Sequence, residues 1–196
     1  MKLPKIEFNA PVVILYTLAS FVVLMFGYAT GNASTDEFFT CYRTSVSDPM
    51  MWVRMVTYVF GQADINHFVS NFSLIALAGP MLEEKYGSRR LALMMFITAF
   101  VGGAANVLLK AEGVRGASGI AFLFIVLCSC TSAKSGKIPL TMILVVAIYI
   151  GQEVLAGMTM TDNVSHMTHI LGGVCGIVFG LYYIQKGVEP KKVKSS

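Results

Sequence analysis

Apolar residues do not alternate with polar ones along this chain; they come in long uncharged runs. These occupy residues 8–35, 65–82, 91–109, 116–133, 138–152 and 163–185. A helix crossing a bilayer needs about 20 mostly apolar residues. The pattern therefore predicts an all-α, polytopic membrane protein with a six-transmembrane-helix bundle, its spans at roughly 10–30, 65–82, 91–109, 116–133, 138–154 and 165–185. The fifth run is short, and Lys137 and Glu153 at its ends are expected to carry their charged heads into the interface. Connections between later runs are short, so consecutive helices should be antiparallel neighbours. The longest non-spanning stretch, about Asn32 to Asp64, mixes Phe38, Phe39, Tyr42, Met50, Met51 and Trp52 with polar residues, which suits a segment half in the interface.

Composition agrees: 55% of the 196 residues are hydrophobic and 13% charged, against roughly 25% charged in soluble domains. One domain over 1–196 is expected, ending in a basic tail at 187–196. With the N-terminus placed inside, eleven Lys and Arg fall on the inner side and Arg43, Arg54, Lys110 and Arg115 on the outer. Cytoplasmic loops retain positive charge, so both termini are expected in the cytoplasm. These anchors and lipid-facing tail residues account for the net charge of +4, leaving membrane lipids and no nucleic acid as expected partners. No cleavable signal peptide is evident. The four cysteines, Cys41, Cys128, Cys130 and Cys175, imply no disulfide framework and are read as packing residues.

A polar side chain inside lipid is either satisfied by a neighbour or kept for function. His67 and Asn71, four apart, share one helix face and can converge on one oxygen. Ser118 lies in Gly116-Ala117-Ser118-Gly119 at the start of a span, where backbone N–H groups and the helix dipole favour a developing oxyanion. A serine needs a base, and His169 can supply it. Gly172, Gly176 and Gly180 at intervals of four let its helix approach another closely. His166 is spaced wrongly against that stripe and is set aside as a solvated residue. Each signal alone has a bland reading as interhelical glue or packing.

Taken together and in order from Arg54 to Gly180, His67 with Asn71, the EEKYGS turn from Glu83, GASG around Ser118 and HILGGVCG from His169 resemble the rhomboid family. The resemblance implies a serine-type intramembrane endopeptidase acting through a Ser118/His169 dyad without a third acidic member. It implies an oxyanion hole of His67, Asn71 and the Ser118 N–H, supported by Gly116, Gly119, Phe122, Gly172 and Gly176, with no metal or cofactor. Single-pass transmembrane proteins are the implied substrates, and a bacterial inner membrane the implied setting. Trp52 and Arg54 are similar to the family's Trp-Arg pair, with one residue between them. Phe122 stands where many members carry a tyrosine, and Gln62 where some carry a histidine. The alternative within the resemblance is an inactive relative that binds membrane clients. A small transporter is disfavoured because no acidic residue lies within the uncharged runs that mark the spans and no inverted repeat is visible.

Overall fold

The computed structural model describes residues 8–109, 112–131, 133, 137–159 and 166–187; the expected basic tail lies outside them, apart from its first residue. Nine α-helices are found among these residues: α1 Pro11–Ala29, α2 Ala33–Phe38, α3 Pro49–Thr57, α4 Ile65–Tyr86, α5 Ser88–Leu109, α6 Ser118–Ser129, α7 Leu140–Val145, α8 Gly151–Thr159 and α9 His166–Gln185. A π-helical stretch, Val146–Ile150, joins α7 to α8. The only bridge between extended segments in this set pairs Cys41 with Val114.

Four helices, α1, α4, α5 and α9, are long and apolar enough to cross a membrane, so the chain is an integral multi-pass membrane protein. The other two expected spans are shorter as helices. α6 has 12 residues, about 18 Å of rise, beginning two residues into the uncharged run 116–133 and ending four before its end. The fifth is broken into α7, the π stretch and α8. Residues of α1 such as Leu15, Leu18, Val22 and Phe26 face outward, as lipid-facing positions do.

Helices alternate in direction, and the ends near the EEKYGS turn are tied by charge. Glu83, only 4% exposed, accepts from the backbone N–H groups of Val12 (3.0 Å) and Val13 (3.1 Å). These are first-turn donors of α1, which a helix leaves without intrahelical partners. Lys85 performs the mirror task, donating from Nζ to the carbonyls of Cys130 (3.1 Å) and Thr131 at the end of α6. One short motif thus satisfies the positive end of one helix and the negative end of another.

The core is centred on α6. Ile120, Leu123, Phe124 and Leu127 are fully buried, and α9 crosses α6 along its glycine stripe. A Cβ on Gly172 would overlap the Gly119 carbonyl, one on Gly176 would stand 2.7 Å from Val126 Cβ, and one on Gly180 2.7 Å from Cys130 Sγ.

The long loop between α1 and α4 is braced by Arg54, which is 2% exposed. Its guanidinium reaches Asp48 Oδ2 at 2.9 Å, donates to the Glu37 carbonyl at 3.3 Å and lies 4.2 Å over the Tyr42 ring. Trp52 keeps half its surface exposed while Nε1 donates to the Val46 carbonyl, an arrangement suited to an interfacial aromatic. All four cysteines are free. Burial pushes the Cys41 thiol up to about 11, so it is an inert packing group.

Candidate active site

Ser118 opens α6. The Gly116 N–H donates to the Tyr58 carbonyl at 3.0 Å, which fixes the chain just before the serine. Gly116 has φ +141°, and a Cβ there would lie 2.8 Å from His67 Cε1, 3.2 Å from His67 Nε2 and 3.8 Å from Ser118 Oγ. Only glycine both adopts that conformation and leaves room for the imidazole. Its missing side chain thereby makes space for His67 beside Ser118.

Asp64 caps α4, accepting from the His67 N–H at 2.8 Å. The His67 ring turns back so that Nδ1 accepts from the Ala63 N–H at 3.2 Å. That bond assigns the remaining ring proton to Nε2, the nitrogen that faces Gly116. One turn on, buried Asn71 donates from Nδ2 to Gln62 Oε1 at 2.9 Å. The amide has a second N–H left to offer. Gln62 is itself 1% exposed, so it holds Asn71 rather than contacting bulk solvent.

His169 approaches from the first turn of α9. Phe122, one turn beyond Ser118, stacks on its ring with centroids 4.6 Å apart and planes 8° from parallel. The ring on His169 is therefore a phenylalanine, without a hydroxyl. Thr168 packs its carbonyl against Gly119. The crossing of Gly119 with Gly172 sets His169 beside the first turn of α6.

Two residues read differently from sequence also converge here. Glu153, expected at the interface, is 17% exposed in its side chain, with Oε2 at 2.7 Å from His166 Nδ1 and 2.9 Å from His169 Nδ1. His166, set aside as solvated, is half-buried and meets the His169 ring edge to face at 6.4 Å. Ligand atoms, one each from Glu153, His166 and His169, lie within 4.8 Å of one another, which makes these three a candidate cation cluster among the described residues. No spacing rule links position 153 to 166 and 169, since they sit on separate helices.

The Rhomboid domain family model matches residues 49–186, a stretch running from α3 through α9. The chain is also similar to Rhomboid-like protease 3 of Toxoplasma gondii, 29% identical over 98 residues, covering 50% of this chain and 36% of that relative. The helices that carry His67, Ser118 and His169 all lie inside the family match, and the chain belongs to the rhomboid family.

Proposed function

We propose that this protein is an intramembrane serine endopeptidase that cleaves transmembrane segments of single-pass membrane proteins. The observation that carries the reading is the grouping of His67 Nε2 and Ser118 Oγ around Gly116, with His169 held on the adjoining turn by Phe122. Ser118 Oγ attacks the scissile carbonyl carbon as its proton passes to His169 Nε2. The tetrahedral oxyanion is met by His67 Nε2–H, the second Asn71 Nδ2–H and the Ser118 N–H. Collapse expels the amine, which takes the proton from His169. A water then repeats the sequence on the acyl-enzyme. The catalytic hydrogen bond is expected to tighten when substrate binds, as it does in many empty sites. No cofactor enters this scheme.

The same reading arranges six membrane segments, counting α6 and the α7–α8 segment with the four long helices. It places the Lys85, Arg89 and Arg90 end in the cytoplasm by its positive charge, and the termini with it. Ser118 then opens toward the opposite face. Clients should unwind there, so helix-weakening residues near the cut favour cleavage.

A second reading, an inactive family member that binds clients, is favoured by one observation: the ring stacked on His169 is Phe122, which offers it no hydroxyl. The deciding experiment is labelling of purified protein by a fluorophosphonate probe, with folded Ser118→Ala and His169→Ala variants as controls. Labelling of wild type alone supports the protease. Absence of labelling, with no cleavage of a generic transmembrane substrate, gives the client-binding reading the lead.

A further inference from the structure

The stack of Phe122 on His169 fixes the plane of the imidazole but leaves one freedom. Rotation within that plane decides which ring nitrogen faces Ser118. A phenylalanine ring has no polar atom with which to choose. The group placed to choose is a carboxylate: Glu153 Oε2 lies 2.9 Å from His169 Nδ1.

Glu153 reaches that position because α8 packs tightly on the start of α9. Gly157, one turn beyond it, faces His166, with room for a Cβ only 3.4 Å from His166 Cβ. The two histidine contacts differ in kind. His166 Nδ1 is aligned for a hydrogen bond to Oε2 at 2.7 Å. His169 Nδ1 reaches the same oxygen at ion-pair distance, with its N–H direction off the line. Separations of 2.7 and 2.9 Å are shorter than the roughly 3.3 Å between donors around a tetrahedral zinc with bonds of about 2.0 Å. The cluster is therefore one of hydrogen bonding and charge. A carboxylate this enclosed in a membrane bundle is costly unless paired, and the two imidazoles stand within ion-pair distance of it.

We propose that Glu153 is a positioning residue for His169, the third member of the site; the proposal rests on the protease reading. The negative charge beside Nδ1 favours the tautomer that carries its proton there. That leaves the Nε2 lone pair for the Ser118 hydroxyl. When Nε2 takes the serine proton, the same charge stabilises the imidazolium. Glu153 keeps its own charge throughout, because the proton returns from Nε2 to the leaving amine. His166 anchors the shared oxygen and touches no reacting atom.

The test compares Glu153→Gln, Glu153→Asp and His166→Gln with wild type in detergent on a transmembrane substrate, after fluorophosphonate labelling has established an active serine. Glu153→Gln should lower kcat about tenfold or more with KM within about twofold, as expected when a histidine base is mis-set in tautomer. Glu153→Asp should recover part of that loss, and His166→Gln should stay within about threefold of wild type. In parallel, ring-nitrogen NMR of 15N-histidine-labelled Ser118→Ala protein should show His169 protonated at Nδ1, and adding Glu153→Gln should move it toward the Nε2–H form. Unchanged kcat together with an unchanged tautomer overturns the proposal. So do equal losses in Glu153→Gln and His166→Gln without a tautomer change, which mark a purely structural cluster. Should wild type neither label nor cleave, the protease reading fails, while the NMR comparison still decides whether Glu153 sets His169.

Discussion

The α-carbon of Gly172 lies against the carbonyl of Gly119, so closely that a methyl group at 172 would overlap that oxygen. The serine precedes Gly119 by one residue and His169 precedes Gly172 by less than one turn. The depth of this crossing therefore sets how near the base comes to the nucleophile. In lipid, where apolar burial gives helices little reason to associate, close backbone approach is a principal source of attraction.

Gly172→Ala should consequently harm both stability and chemistry. Forcing a methyl into a packed backbone contact costs about 1–3 kcal/mol, seen as a lower midpoint of thermal unfolding in detergent. Fluorophosphonate labelling should fall further than the folded fraction does. Gly151→Ala is the control, because nothing stands within 4 Å of its Cβ position. Alanine there should leave the midpoint unchanged or raise it, given the roughly 1 kcal/mol helix preference over glycine. Equal effects at the two positions would remove the special role of the crossing.

Gly116→Ala isolates the placement of His67. The residue has φ +141°, and a Cβ would stand 2.8 Å from the His67 ring, so the ring must move. If His67 is an oxyanion donor, kcat should fall by roughly 10²–10³-fold, as in His67→Ala, and the double variant should lose little more than either alone. Losses that multiply in the double variant would show that Gly116 acts apart from His67.

Much of this was legible in the sequence, and what was not has a physical cause. Uncharged runs locate helices because lipid excludes charge, so the run at 91–109 falls inside α5, Ser88–Leu109. Run length does not tell a continuous helix from a broken one. The run at 116–133 therefore reads as a span although α6 covers only Ser118–Ser129. Local spacing places His67 and Asn71 on one face, and the glycine stripe marks the side of α9 that meets α6. The pairing of Glu153 with His166 and His169 is not legible there, because a charged residue at the edge of an apolar run looks the same whether it faces headgroups or two histidines. Its partners are 13 and 16 positions away, on another helix. Gln62 likewise shows its use only once its Oε1 is seen accepting from Asn71.

Glu83 ties two long helices at the end opposite Ser118, and its loss should be felt as stability rather than chemistry. Glu83→Ala removes the acceptor for the Val12 and Val13 N–H groups. Leaving buried donors unmatched costs about 1–3 kcal/mol. Glu83→Gln keeps an acceptor oxygen but loses the charge facing the helix dipole, a smaller cost of about 0.3–1 kcal/mol. Thermal unfolding should rank wild type above Gln above Ala, with labelling per folded molecule similar in all three. A reversed rank would show that the caps contribute nothing.

The loop brace supplies a pH dependence with a defined sign. The Thr44 hydroxyl, the Met50 N–H and the Arg54 guanidinium hold the Asp48 carboxyl below its usual range. Its folded-state pKa is depressed, so its contribution is present above the ordinary carboxylate value of about 3.9 and is lost as pH falls through the lowered value. Trp52, the one tryptophan of the chain, sits on α3, the helix that Asp48 caps, and reports on this loop alone. Its emission should stay constant from neutral pH down to about 4 and change only below that. Asp48→Asn should show the altered emission already at neutral pH, without a further acid transition, because the Arg54 guanidinium has then lost its countercharge. A wild-type transition well above pH 5, or the same acid transition in Asp48→Asn, would assign the titration to another group.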